Sequence, residues 1–278
     1  MSLNIRQKEF SENGFCVVKN VFDESDMEDI FLNFYNICYF CALNNNIQND
    51  SPSISEVSYP ANIKDLDLLV MAIFKKHKGF LAEIYDTFSY SLSFMRFLGN
   101  KKVESLSKEL LNIDSNSALY GFTNRMRIDP PADERRTYGW HQEIFYNVPH
   151  SKFLQTWCPM MRDTTINNGT IELKKGSHKE GIASQSWREV EGRVTQILID
   201  PSISSKYKTT KLEMNVGDVL FFDAHLFHKS GKNSTKDEVR FSLVGTWNDT
   251  SFKSFKAPIP EFKSRTLSPK EYFYSLKG

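Results

Sequence analysis

Apolar positions recur along the chain with two different periods. Residues 1–112 carry mainly the three-and-four spacing of helices, whereas residues 115–250 carry short β-type runs separated by turn chemistry. In the first part, residues 14–18 read as a short strand. Residues 23–42 then place Met27, Ile30, Phe31, Phe34 and Ile37 on one helical face, with Asp23 or Ser25 as the cap and acidic residues in the first turns. Residues 43–61 break the pattern with Asn44, Asn45, Asn46, Pro52 and Pro60, and a mobile loop, a candidate lid, is expected there. Helical spacing resumes over 63–74 and 80–98. In the second part, strands are expected at 118–128, 153–161, 169–173, 194–199, 219–222 and 239–247, separated by turns such as Asp129-Pro130-Pro131, Asn167-Asn168-Gly169 and Val216-Gly217-Asp218. Beyond 250 the pattern fades, apart from a short helix expected near 269–276.

Short strands divided in this way predict an antiparallel sandwich or barrel. A chain of 278 residues fits one domain, with a mainly helical part at 1–112, a β core at 115–250 and a C-terminal extension at 251–278. Charge changes this picture little. The 35 Lys+Arg balance 34 Asp+Glu, which gives no general attraction to nucleic acid or anionic membrane. No run reaches the roughly 18 apolar residues of a membrane span. The opening MSLNIRQKEF is charged and lacks an apolar leader core, so a cytoplasmic location is expected. Four cysteines, Cys16, Cys38, Cys41 and Cys158, are too few for a disulfide framework. Cys38 and Cys41 lack the second ligand pair that a zinc site needs and read as buried thiols on a helix.

Candidate chemistry is concentrated in Gly139-Trp140-His141-Gln142-Glu143-Ile144-Phe145-Tyr146. In an extended segment, residues two apart face the same side, so His141 and Glu143 are expected to converge. An imidazole nitrogen and a carboxylate oxygen suit divalent iron, and a third ligand must come from elsewhere. The apolar strand that follows Gly217-Asp218 leads to two candidates, His225 and His228. Twelve positions past His228 sits Arg240, a residue able to grip a carboxylate through two parallel hydrogen bonds.

Four ordered pieces of this sequence resemble the phytanoyl-CoA dioxygenase family of iron(II)- and 2-oxoglutarate-dependent oxygenases. They are Glu12-Asn13-Gly14-Phe15 with Asn20-Val21-Phe22, then Trp140-His141-Gln142-Glu143 with Tyr146. Next come Asn168-Gly169-Thr170 through Gly176-Ser177-His178, and finally Gly217-Asp218 with His228-x-Ser230, Asn233 and Arg240. Together they span most of the chain. Two departures stand out: Glu143 replaces the family's usual Asp, and Lys175 replaces its usual Pro before the Gly-Ser-His turn.

The resemblance implies a double-stranded β-helix, or jelly roll, mainly β with N-terminal helices packed on one sheet. It implies Fe(II) held by His141, Glu143 and His228, the third ligand being His228 rather than His225. It also implies 2-oxoglutarate as cosubstrate, paired with Arg240 and Ser230 in a pocket lined by Trp157, with Arg125 and Arg127 reaching cosubstrate or substrate. Core packing is the competing role for Trp157, and a solvated strand face for the two arginines. Tyr146 is a candidate substrate contact or a core phenol, and His178 is expected to fix its turn. The reaction implied is hydroxylation of a small molecule, with release of succinate and CO2. Arg125, Arg127, Arg135 and Arg136 favour an anionic one. The alternative is a non-oxidative sugar epimerase or a small-molecule binding module on the same fold.

Overall fold

The computed structural model describes residues 4–133, 138–145, 151–188 and 196–255. The helix expected at 269–276, together with Arg135, Arg136 and Tyr146, lies outside them.

The chain opens with α1 (Ile5–Asn13), whose reciprocal capping box joins Asn4 and Gln7. It ends at Gly14, in the left-handed region at φ +83°. A Cβ there would lie 2.5 Å from Nδ1 of His178, so glycine is required both for the turn and for the approach of that ring. β1 (Phe15–Val18) follows directly. α2 (Glu24–Asn44) is capped by Asp23 and buries Met27, Ile30, Phe31, Phe34, Tyr35, Cys38 and Ala42; of the stripe that its spacing predicts, only Ile37 is half-buried instead. Cys38 is fully buried, Cys41 is half-buried, and all four cysteines are free.

Residues 45–62 do not stand off the body as a lid. Ile47 and Val57 are buried, Tyr35 donates its hydroxyl to the carbonyl of Pro52 at 2.7 Å, and Tyr59 packs on Phe31. α3 (Ile63–Lys76) follows. The single helix expected at 80–98 is two, α4 (Phe80–Ser89) and α5 (Leu92–Leu98). The Ser91 hydroxyl accepts the N–H of Phe94 and starts a new helix there. α6 (Lys101–Leu111), capped by Asn100, completes the layer.

The strands are β2 (Leu119–Gly121), β3 (Arg125–Asp129), β4 (Phe153–Pro159), β5 (Ile171–Lys174), β6 (Gln185–Arg188), β7 (Gln196–Ile199), β8 (Thr209–Lys211), β9 (Val219–Asp223), β10 (His228–Ser230) and β11 (Arg240–Asp249). The expected strand at 118–128 is broken at residues 122–124. There the side-chain oxygen of Asn124 accepts the N–H of Thr246 and takes the place of a backbone partner. The major sheet runs β1-β9-β4-β11-β2, with β3 also paired to β11. The minor sheet runs β10-β5-β8, and β6 and β7 form a separate ladder. All paired strands are antiparallel.

Strand parity assigns each face of the major sheet. Cys16, Met126, Ile128, Leu154, Cys158, Val219, Phe221, Phe241 and Leu243 share one core with the helices. Phe34 of α2 meets Phe241 edge-on, with ring centroids 5.6 Å apart. The residues between them, Phe15, Trp157, Leu220, Phe222 and Val244, pack with Ile171 and Leu173 of the minor sheet in a second core. The helices thus cover one face of the major sheet, and the other face looks into the space between the sheets. This is the double-stranded β-helix expected from the sequence.

Asp67 of α3 ties the helical layer to the sheet ends. Its buried carboxylate accepts from Arg162 and from the N–H of Val239. Burial outweighs these partners and pushes the carboxyl up to about 6. The folded chain therefore holds this proton more tightly than the unfolded chain. The resulting stabilisation is complete below about pH 4 and is lost as the pH rises through about 6. Asp67→Asn removes this titration. Urea unfolding should show the stability of the unsubstituted protein relative to Asp67→Asn falling by about 2–3 kcal/mol from pH 4 to pH 6. A difference that does not change with pH would show that the titration does not involve Asp67.

Candidate metal centre

Two backbone hydrogen bonds place the two histidines. The N–H of His141 donates to the carbonyl of His228 and the N–H of His228 to that of His141, each at 3.1 Å. Their rings lie 4.2 Å apart, centroid to centroid. Nδ1 of His141 is 2.8 Å from the carbonyl of Gly139, and Nδ1 of His228 is 2.9 Å from that of Leu226. A carbonyl only accepts, so each Nδ1 carries the proton and each Nε2 keeps its lone pair. Burial, reinforced by the neighbouring His228 ring, which disfavours a second proton, holds His141 well below its ordinary range, and burial pushes His228 down to about 4. Both imidazoles are therefore neutral at physiological pH, the form that binds metals.

Glu143 does not join them by strand alternation. It opens a 3-10 turn (Glu143–Phe145), held by the N–H of Ile144 on the carbonyl of Ala224. The turn brings its Oε2 to 3.9 Å from Nε2 of His141 and 3.8 Å from Nε2 of His228. One ligand atom from each of the three buried residues lies within 4.8 Å of the others.

Between the two ligands, Gln142 is wholly buried and turned the other way. Its amide donates to the carbonyls of Gly181 and His225 and accepts the N–H of Ala183. The sequence marks it only as a polar residue at the opposite parity. β7 adds support, with Ile199 donating to the carbonyl of Trp140 and the Gln196 side chain accepting from Gly139. His225 is outside the cluster. Asp223 accepts from its backbone N–H at 2.8 Å and lies 3.0 Å from its Nδ1. His178 contacts the carbonyl of Ser11 at 3.0 Å and so braces the end of α1 rather than its own turn.

The three ligand candidates line a cavity between the sheets. Trp157, Phe222, Ile171 and Val244 form its apolar wall, and Arg125, Arg127 and Ser230 supply polar groups. Tyr138, Gln155 and Lys229 also line it, and the sequence reading singled out none of them. Residues 43–61 are absent from its described lining. Trp157 is both cavity wall and core, at 4% exposure.

Arg240 is absent from that lining, and strand parity gives it the same face of β11 as Val244. Its Nη2 donates to Asp129 at 2.7 Å and its Nη1 to the carbonyl of Gly231 at 3.3 Å, while its buried Nε has no partner among the described residues. Arg127 reaches the same carboxylate. Burial works to raise the Asp129 carboxyl, but Arg127 and Arg240 overcome it and hold the group well below the usual carboxylate range.

Residues 10–242 match the phytanoyl-CoA dioxygenase family. The peroxisomal phytanoyl-CoA dioxygenase of Homo sapiens is 24% identical over 242 residues, which cover 84% of this chain and 65% of that protein. The chain thus spans less than two thirds of that relative's length. A 1-deoxypentalenic acid 11-beta-hydroxylase of Streptomyces arenae is 30% identical over 101 residues, 35% of each chain. Among solved structures, the epimerase SnoN in complex with Fe3+, alpha ketoglutarate and nogalamycin RO aligns with a TM-score of 0.58 at 15% identity, over 92% of both chains. EvdO2 from Micromonospora carbonacea var. aurantiaca, complexed with 2-oxoglutarate, aligns with a TM-score of 0.54 at 16% identity, over 93% of this chain and 96% of that one. At such identities the structural likeness is one of fold. The family match runs from the end of α1 into β11, through the helical layer and both sheets, and the chain belongs to the phytanoyl-CoA dioxygenase family.

Proposed function

We propose that the chain is an iron(II)- and 2-oxoglutarate-dependent oxygenase that hydroxylates a small anionic molecule, with release of succinate and CO2. The observation that carries this reading is the convergence of two neutral Nε2 lone pairs and one carboxylate on a cavity that also holds arginines and a serine. Two imidazoles and a carboxylate are the donor set of non-haem iron(II) sites with open positions. The partnerless Nε of Arg240 and the Ser230 hydroxyl fit the distal carboxylate of 2-oxoglutarate. When bound, iron and 2-oxoglutarate supply the oxygen-activating chemistry.

The chain's own residues do the rest. Carbonyl contacts at Gly139 and Leu226 fix both imidazoles with Nε2 inward. Trp157, Phe222 and Val244 keep water from the apolar side of the cavity. Arg125, an intermediate-exposure residue in the lining, suits an anionic substrate group. A binding module would not need the carboxylate ligand together with the arginine clamp. Four free cysteines are consistent with a reducing, cytoplasmic compartment, and among the described residues no helix is long and apolar enough to cross a membrane.

Calorimetric titration should find one divalent transition metal bound per chain. His141→Ala and His228→Ala should lose metal retention, and His225→Ala should keep it. Retention by His228→Ala with loss in His225→Ala would reverse the assignment. Arg240→Ala should leave metal affinity intact and weaken 2-oxoglutarate about 30-fold or more, from the roughly 2–5 kcal/mol cost of breaking a buried charge pair. An unchanged cosubstrate affinity removes Arg240 from the clamp.

Glu143 governs the outcome of the reaction. Glu143→Asp should retain part of the activity, because it shortens the ligand by one methylene. Glu143→Ala should lose hydroxylation. Mass spectrometry of products formed with chloride present should find hydroxylated and no chlorinated product from the unsubstituted enzyme. Succinate without an oxygenated product would favour a 2-oxoglutarate-dependent reaction other than hydroxylation, and no succinate at all a binding module or a non-oxidative epimerase.

A further inference from the structure

Asp129 is not a metal-ligand candidate, yet it is the one carboxylate among the described residues shared by two of the arginines around the cavity. It faces Arg240 across the ladder between β3 and β11, where the paired residues are Arg240 with Asp129, Ser242 with Arg127 and Val244 with Arg125. Parity turns Arg125, Arg127 and Asp129 toward the space between the sheets. Both Asp129 oxygens are engaged. Oδ1 accepts Nη2 of Arg127 at 3.0 Å, and Oδ2 accepts Nη2 of Arg240 at 2.7 Å and Nε of Arg127 at 3.3 Å. Its backbone carbonyl accepts Nδ2 of Asn233, which also donates to the carbonyl of Glu238. The loop from β10 to β11 is thereby tied to the same residue.

This arrangement constrains the guanidinium of Arg240. Arginine has many rotamers, and a clamp works only when one of them is fixed before the ligand arrives. Asp129 holds Nη2 and the carbonyl of Gly231 holds Nη1, so Nε is left as the buried donor without a partner among the described residues. The same carboxylate draws Arg127 along β3, through two hydrogen bonds to a residue only two positions away.

We propose that Asp129 is a positioning residue that sets the preference for a dicarboxylic 2-oxo acid, by holding Arg240 with its Nε free for the distal carboxylate and tying Arg127 back along β3. The proposal rests on the reading of Arg240 as the cosubstrate clamp. A carboxylate that merely neutralised buried charge would influence folding and leave the choice between cosubstrates alone.

The test uses the full chain loaded with Mn(II), titrated calorimetrically with 2-oxoglutarate and with 2-oxopentanoate, which lacks the distal carboxylate. The readout is the ratio of the two affinities, which is independent of the fraction folded. Asp129→Asn should lower the preference for 2-oxoglutarate at least tenfold, about 1.4 kcal/mol, with 2-oxopentanoate and Mn(II) affinities unchanged. Asp129→Glu keeps the anion that the buried guanidiniums require and moves it by one methylene. It should lower the ratio less, and it decides the matter if Asp129→Asn does not fold. Arg240→Gln is the control. If Arg240→Gln collapses the ratio while the folded Asp129 variants stay within about twofold of the unsubstituted protein, the role of Asp129 is overturned and the clamp stands. If Arg240→Gln itself keeps the ratio, the clamp reading fails and the proposal with it.

Discussion

Everything at the candidate site depends on the reciprocal backbone pair between His141 and His228. These residues are 87 positions apart and belong to segments with few other direct links. One segment is a lone bridge leading into a 3-10 turn, and the other is a three-residue strand. Two hydrogen bonds between such segments are worth only about 1–3 kcal/mol in total. The pair therefore needs support from outside. Gln142, Ser177 and β7 provide it by satisfying backbone groups on both sides of the bridge. Most of the surrounding polar network serves to keep two imidazole lone pairs aimed at one point.

The two faces of the major sheet carry different burdens. On the helical face, rings such as Phe31, Phe34 and Phe241 are fully buried, and each contributes roughly 1.5–3 kcal/mol relative to exposure. On the inner face, β3 and β11 bring Asp129 and Arg240, and most of Arg127, out of water, which costs free energy that their mutual pairing offsets. The apolar face holds the charged face in place, so the cavity sits on the better-packed of the two sheets.

Periodicity made some of this legible and concealed the rest. The stripe on α2 was readable because its partner is a flat apolar sheet. α1 was not, since none of its residues is buried and it exists through its caps. β10 and β8 are three residues each, too short for a period to register. At the site, the sequence marks His141, Glu143 and His228, which the structure brings together, and not Gln142, Tyr138, Gln155 or Lys229 beside them; the reason it offers for His141 and Glu143 is wrong. Alternation along a strand does not unite them, because the chain turns into a 3-10 helix at Glu143. Asp129 was in view as a turn residue before two prolines. Its place opposite Arg240 depends on a pairing between strands 111 positions apart, which no local pattern encodes.

The strict parity of the inner sheet also limits how the gene can change length. An insertion or deletion of one residue within β3 would exchange Arg127 with a neighbour of opposite orientation, placing a cation beneath α4 and Met126 or Ile128 against the cavity. The ladder between β4 and β11, seven residue pairs long, carries the same restriction. Changes of length are therefore expected in the connections around the rim, where no ladder fixes the register. A chain on this scaffold is free to diverge there, while the wall that carries Arg125, Arg127, Asp129 and Arg240 stays in register.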